Sequence, residues 1–422
     1  QTQVKQGLLV RAIYGLYPFC LTVFLAMLAL PSKAETLTVG WLNDNVNERY
    51  LISDIEQEFA KIAPDITLNA VGVHTDKYKQ QVLKWLKTGE GPDVLYWYGD
   101  ERLLDLVRSG WVSDISDVWQ AQRLTDAFRV SVSSQVSLNG RFYAIPVSHY
   151  PWSFFYNAEL FDSMGLAEPS TWDEFLHLCQ ALKEKGITPI AIGYDAPWVL
   201  TSWFEFISLR LYGESFHHEL LSGRVSYKDE RVVQVFLLWK VLIDKGYFMD
   251  TGENMDWYDP MPYLYRGLAG VTLIGHFLSS RIPESAESKI RIFSFPELSP
   301  GQETIELAPL DVFFVRASSS KQKAARQFLS FMATHKAQSR FNLHAGGFSP
   351  LAGSEHFPNY FNDMGAKQLN TAESTSPYFD RVVPHEFAEP AMTLLRDFMK
   401  SADVGSTTEA LEALRLEVYQ LD

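Results

Sequence analysis

Trp97, Tyr98 and Asp100 stand within four residues of one another at the end of the stretch Leu83 to Asp100, LKWLKTGEGPDVLYWYGD. Two flat rings beside a carboxylate offer stacking faces and a hydrogen-bond acceptor. They suit a ligand with apolar faces and hydroxyl edges, a description that fits a sugar. Any one of these rings, taken singly, is more often packing than ligand contact, so the cluster counts for more than its members. The stretch itself reads as a helix that stops at Gly89, a C-cap residue, with Pro92 forbidding continuation and Val94, Leu95 and Tyr96 forming the apolar run of a buried parallel strand. Residues beyond the carboxyl end of such a strand lie where open α/β sheets hold ligands.

The same arrangement recurs along the chain, and the elements that position it follow from periodicity. A strand at Thr36 to Leu42 leads into a helix with Leu51, Ile55, Phe59 and Ile62 at helical spacing. Strands at Thr67 to Val71 and Val94 to Trp97 alternate with helices near Tyr78 to Lys87 and Arg102 to Ser109, the βαβα rhythm of a doubly wound sheet. A second unit begins after a strand at Phe142 to Val147, where Pro146, His149, Tyr150, Pro151 and Trp152 interrupt the pattern before the apolar run Phe154 to Tyr156. Thr171 with Glu174 has capping-box spacing; Phe175, Leu178 and Leu182 make the buried stripe of that helix, and Gly186 ends it. The strand Ile190 to Ile192 again delivers an aromatic group, Trp198. The helix Glu230 to Lys245 is apolar nearly all round, Leu237 included, which predicts burial. Gly275-His276-Phe277 turns off the strand Gly270 to Ile274, Asp311 to Val315 is a further strand, and Gly346-Gly347-Phe348-Ser349-Pro350 breaks the chain again. These breaks predict three passages between two lobes.

Residues 1–34 read differently. Lys5 and Arg11 precede an apolar run from Leu16 to Leu30, and Ser32-Lys33-Ala34 offers small residues for cleavage after Ala34, as in an export signal peptide. The run is short for a membrane span. Cleavage predicts a periplasmic protein; an uncleaved signal serving as membrane anchor is the alternative. The remaining 388 residues hold 34 basic and 51 acidic side chains once Lys5, Arg11 and Lys33 are gone, and Cys179 as their only cysteine. No intrachain disulfide can form, and such a charge balance disfavours nucleic acid and anionic membrane as partners.

No Gly-x-Ser-x-Gly elbow, His-Glu-x-x-His pair or phosphate-cradling loop occurs, and His217 and His218, adjacent on a helix, point apart. The expectation is a binding protein without enzymatic activity, cofactor or metal. An exported carbohydrate-active enzyme is the competing class, since Asp44, Asp100 and Glu101 are the residue types a glycosidase uses.

In order and spacing, GEGPDVLYWYGD at 89 to 100, NGRFYAIPV at 139 to 147 with FFYNAELFDSMGL at 154 to 166, TWDEFLHLCQALKEKGITPIAI at 171 to 192 and GLAGVTLIG at 267 to 275 resemble the extracellular solute-binding proteins of bacterial ABC importers, in the sugar-binding group that includes the maltodextrin-binding protein. The resemblance covers nearly the whole mature chain. It implies two doubly wound α/β lobes joined by a multi-segment hinge, the periplasmic-binding-protein-like fold, with the ligand cleft between them. Residues 35–147 plus about 312–346 would form lobe 1, and 148–311 plus about 347–422 lobe 2. Its ligand would touch Asn43, Asp44 and Asn45, whose amides and carboxylate hydrogen-bond hydroxyls; Trp97 and Asp100 match a stacking ring and a hydroxyl-binding carboxylate, and Trp198 a ring closing from the second lobe. Phe277 falls where the family commonly has a tryptophan. His149, Tyr150, Trp152, His276 and Phe348, with Tyr98, complete the candidate lining. Tyr150 and Glu101 depart from the maltodextrin-binding pattern and leave the sugar open. The implied protein is a monomer that delivers a captured carbohydrate to ABC permease subunits; a membrane sensor kinase or chemoreceptor as reader, and non-sugar cargo such as polyamines or metals, are the alternatives.

Overall fold

The computed structural model describes residues 34–44 and 46–420. The export-signal expectation covers residues 1–34, of which 1–33 lie outside them.

Two sheets organise the chain. In the first, the strand Glu35–Leu42 pairs in parallel with Ile66–Val73 on one side and Val94–Tyr98 on the other. Leu310–Val315 runs antiparallel between Val94–Tyr98 and Ala144–His149, so a late segment of the chain completes an early sheet. The helix Val46–Ile62 lies on one face, where Phe59 meets Phe328 and Phe331. The helix Thr75–Thr88 lies on the opposite face, where Tyr78 packs on Trp97, as right-handed crossovers in opposite directions require. Leu51, Ile55 and Phe59 are buried as their spacing predicts, whereas Ile62, the last residue of the helix, is exposed.

In the second sheet Trp152–Asn157 lies antiparallel between Ile290–Phe293 and Ala269–Gly275, and Thr188–Ile190 is parallel to the latter. The capping box at Thr171 and Glu174 is formed, and Phe175, Leu178 and Leu182 face the core. The helix Glu230–Asp244 is a correction: Leu237 is exposed and burial is confined to the stripe Val232, Val235, Phe236, Trp239 and Leu242, because the helix packs against other helices on one side and meets water on the other.

Each sheet has its own apolar core, one built around Val39, Phe59 and Phe313, the other around Phe154, Phe175 and Trp203. The chain is thus a two-lobe α/β fold. It passes between lobes three times: at Tyr150-Pro151, between Leu307 and Leu310, and between Leu351, still in the first core, and Phe361, in the second. The Gly275-His276-Phe277 turn is not a passage, since its flanking residues Ile274 and Leu278 share the second core. At the seam, His149 and Phe348 exchange backbone hydrogen bonds, which ties the first passage to the approach to the third.

Candidate functional site

A cavity of about 430 Å³ lies between the lobes, across the carboxyl ends of the strands Glu35–Leu42 and Val94–Tyr98. That volume is in the range of small-molecule sites. Strand alternation decides which rings reach it. Tyr96 and Tyr98 point the same way and line the cavity; Trp97, between them, points to the other face, is 1% exposed, and donates its Nε1–H to the Arg102 carbonyl at 3.1 Å. The sequence expectation placed the stacking ring one residue off, and Trp97 is core.

The second lobe and the hinge supply most of the aromatic wall. Trp152 begins its strand directly after the first passage and stacks on Tyr378 with centroids 4.5 Å apart and planes 13° from parallel. Trp198 sits at the start of a short helical turn begun by Pro197, meets Trp152 edge-on at 6.0 Å, and its carbonyl accepts from the Tyr378 hydroxyl. Phe277 is held edge-on by Tyr150 at 5.4 Å and by Trp257 at 5.2 Å. Gly275 makes this possible: a Cβ there would stand 2.3 Å from the Phe277 ring, so only glycine lets the ring fold back over its own strand end. Five of the candidate residues therefore come together on the cavity wall: Tyr98, Tyr150, Trp152, Trp198 and Phe277.

The others are placed elsewhere. Asn43 is exposed and lies over Gly72. The Asp44 carboxylate accepts the backbone N–H and hydroxyl of Thr75, so it neutralises the positive end of the helix Thr75–Thr88 instead of facing ligand. Asn45 lies outside the described residues. Asp100 takes a positive φ of 62° to enter the helix Glu101–Arg108 and does not line the cavity; burial, then repulsion from Glu101, pushes its carboxyl up to about 6. His149 meets the Phe348 ring edge-on at the hinge. His276 is fully buried, with Nε2 2.8 Å from the Phe361 carbonyl and Nδ1 3.1 Å from the Gly346 carbonyl and 3.4 Å from the Ser279 hydroxyl; a neutral ring donates to one of the two carbonyls only. Phe348 is buried between His149 and His276.

Sequence reasoning missed the charged part of the wall, to which the turn Phe379–Val382, between Pro377 and Pro384, contributes Asp380 and Arg381. Arg381 lies 3.8 Å over the Tyr98 ring, donates to Asp311 Oδ1 at 3.1 Å and to the Leu310 carbonyl, and reaches the Tyr150 hydroxyl at 3.2 Å. Asp380 pairs with Lys79 of the first lobe, and its carbonyl accepts from Arg102 Nε at 2.5 Å. Burial by itself would raise the Asp380 carboxyl, but Lys79, Arg102 and Arg381 outweigh burial and hold it at about 2. On the other face of the sheet Arg281 Nη2 donates to Glu48 at 2.5 Å and lies over the rings of Trp257 and Phe277. The signals were present: an aspartate opening the apolar run DVFFV at 311–315, and aromatic and charged residues packed into YFDR at 378–381 between prolines.

Among the described residues no cluster of three or more His, Cys, Asp or Glu side chains could hold a metal ion, and no helix is long and apolar enough to cross a membrane.

A family model described as bacterial extracellular solute-binding protein matches residues 44–339. The multiple sugar-binding protein of Streptococcus mutans is 22% identical over 348 residues, covering 80% of each chain. Among solved structures, the bacterial solute receptor AcbH, described as having an exclusive substrate preference for β-D-galactopyranose, superposes with a TM-score of 0.85 at 20% identity, over 92% of this chain and 99% of its own. A chitin oligosaccharide binding protein gives 0.83 at 17% identity, over 91% and 99%.

Proposed function

We propose that this chain, which belongs to the bacterial extracellular solute-binding protein family, captures a carbohydrate between its lobes and delivers it to an ABC permease. The observation that carries this reading is the cavity at the seam of the lobes, walled by aromatic rings from both lobes and by hydrogen-bonding groups fixed in place. Rings bind the apolar faces of a sugar, and carboxylates, guanidinium and phenol groups bind its hydroxyl edge. The sugars named for the multiple sugar-binding, galactopyranose and chitin oligosaccharide receptors support the same class.

On this reading the residues in ligand contact are Tyr98, Tyr150, Trp198 and Phe277, with Tyr96, Asp311 and Arg381 supplying polar groups. Each hydroxyl hydrogen bond is worth about 1 kcal/mol net, so micromolar binding, about 8 kcal/mol, needs several of them together with stacked rings. The open form would expose both jaws, and a ligand touching both shifts the population toward closure. The protein acts as an exported binding protein of the periplasm and performs no chemistry on its cargo.

A thermal-shift screen of the chain lacking residues 1–34, against mono-, di- and oligosaccharides and then polyamines and amino acids, tests this reading. A sugar present at a hundredfold excess over its Kd stabilises by about 2.7 kcal/mol and raises Tm. A response confined to polyamines or amino acids rejects the carbohydrate class, and chemical turnover of an oligosaccharide rejects the binding-protein reading.

A further inference from the structure

The charged groups of the cavity wall answer one another across the lobes. Glu48 pairs with Arg281, Lys79 with Asp380 and Asp311 with Arg381, and in each pair one residue belongs to the first lobe and the other to the second. The fourth wall carboxylate, Glu389 of the second lobe, lies 3.2 Å from Arg102 Nη2 of the first. Arg102 also meets His385 Nδ1 at 2.6 Å, an approach that favours the neutral imidazole. The last charge-bearing type on the wall, His344, lies 3.3 Å from Asp54 within its own lobe.

Apart, the lobes would hold these groups in water: Glu48, Lys79, Arg102 and Asp311 on one side, Arg281, Asp380, Arg381 and Glu389 on the other. Together, each charge meets its opposite and none is left over for the occupant. We infer that the cavity selects an uncharged saccharide and rejects the matching uronic acids and amino sugars. The inference rests on the carbohydrate reading for the word saccharide, and on the paired wall alone for the word uncharged. A ligand carboxylate or ammonium brought into this wall would lose its water and find only charges already paired, so it would compete for a partner that closure needs. A neutral polyol loses only hydroxyl hydration and recovers it from the lone pairs and N–H groups those ion pairs leave unused.

Matched sets test this: glucose, glucuronate and glucosamine, then galactose, galacturonate and galactosamine, each titrated calorimetrically at pH 6, where the carboxyl and the amine both carry charge. The expected result is that in any set that binds, the neutral sugar is at least tenfold tighter than both charged relatives. A uronate or amino sugar equal to or tighter than its neutral relative overturns the inference. If no saccharide binds but another uncharged solute does, the carbohydrate reading falls and the charge inference stands. Binding of a polyamine or an anionic solute in place of sugars overturns both. Glu48→Gln, which takes the carboxylate from Arg281, should narrow the gap between neutral sugar and uronate at least threefold; an unchanged gap rejects interlobe pairing as its cause.

Discussion

Trp97 and Trp198 show how one residue's direction decides its work. Both were expected just beyond a strand, but Trp97, inside the strand Val94–Tyr98, is turned into the core of the first lobe, and Trp198, in the turn Pro197–Leu200, stands on the wall of the cavity. Trp198→Ala should weaken ligand binding by about 1 kcal/mol or more, the worth of an aromatic contact, while leaving unfolding nearly unchanged. Trp97→Ala should instead cost about 3–5 kcal/mol of unfolding free energy, as for other buried tryptophans. Calorimetry and urea denaturation on both variants separate the two; equal effects of Trp97→Ala and Trp198→Ala on binding, with stability untouched, would reject the assignment. The types of residue needed at this edge were readable from LYWYGD, but parity along the strand was not. An apolar run buried on both faces has no alternation in its sequence to say which face looks at the ligand.

A single helical turn, Phe379–Val382, carries much of the contact between the lobes. It is anchored in the second core by Phe379, yet Asp380 and Arg381 reach groups of the first lobe. Asp380→Asn should therefore act mainly on closure: Lys79 loses its carboxylate partner only when the lobes meet, since in an open form water solvates it, while Arg102 keeps the residue's backbone carbonyl and Glu389. Affinity for the cognate ligand should fall tenfold or more, and small-angle scattering should show a larger radius of gyration for the unliganded variant. A lower Tm with unaltered affinity would mean that the turn serves the fold alone. The role of this turn was not legible because its partners, Lys79, Arg102 and Asp311, lie some 70 to 300 residues away in the chain. By contrast the helix Trp172–Glu184, with its capping box and buried stripe, was legible because every interaction that defines it lies within four residues.

At the scale of the molecule, histidines couple the fold to pH: His149, which burial and then Arg129 hold down at about 4, and two lower still. Burial holds His217 and His276 down at about 3, against about 6.5 in an unfolded chain. Between those values the unfolded chain binds protons that the folded chain refuses, so their contribution is full above pH 6.5 and is lost as pH falls, by about 2 kcal/mol per histidine at pH 5. Buried carboxyls such as Glu205 and Asp311 are raised and act in the opposite sense, so the comparison must be differential. His276→Gln keeps an N–H for the Phe361 carbonyl and does not titrate. Its unfolding free energy should drop less than that of the unaltered chain between pH 7.5 and pH 5, and parallel profiles would reject a neutral buried His276 at the hinge.

By itself, the sequence determined the two-lobe α/β plan, the places where strands end in aromatic residues, and the absence of nucleophile and zinc motifs. Those are written in periodicities and short spacings, which local backbone physics translates directly. Only the tertiary structure decided that Tyr96 and Tyr98 face the cavity while Trp97 does not, that Asp44 caps a helix start and Asp100 turns into one away from the cavity, and that Asp311, Asp380 and Arg381 stand in the charged wall. Ion pairs and shared cavities join residues whose separation along the chain carries no signal, and they exist only once both cores have formed and the lobes have met.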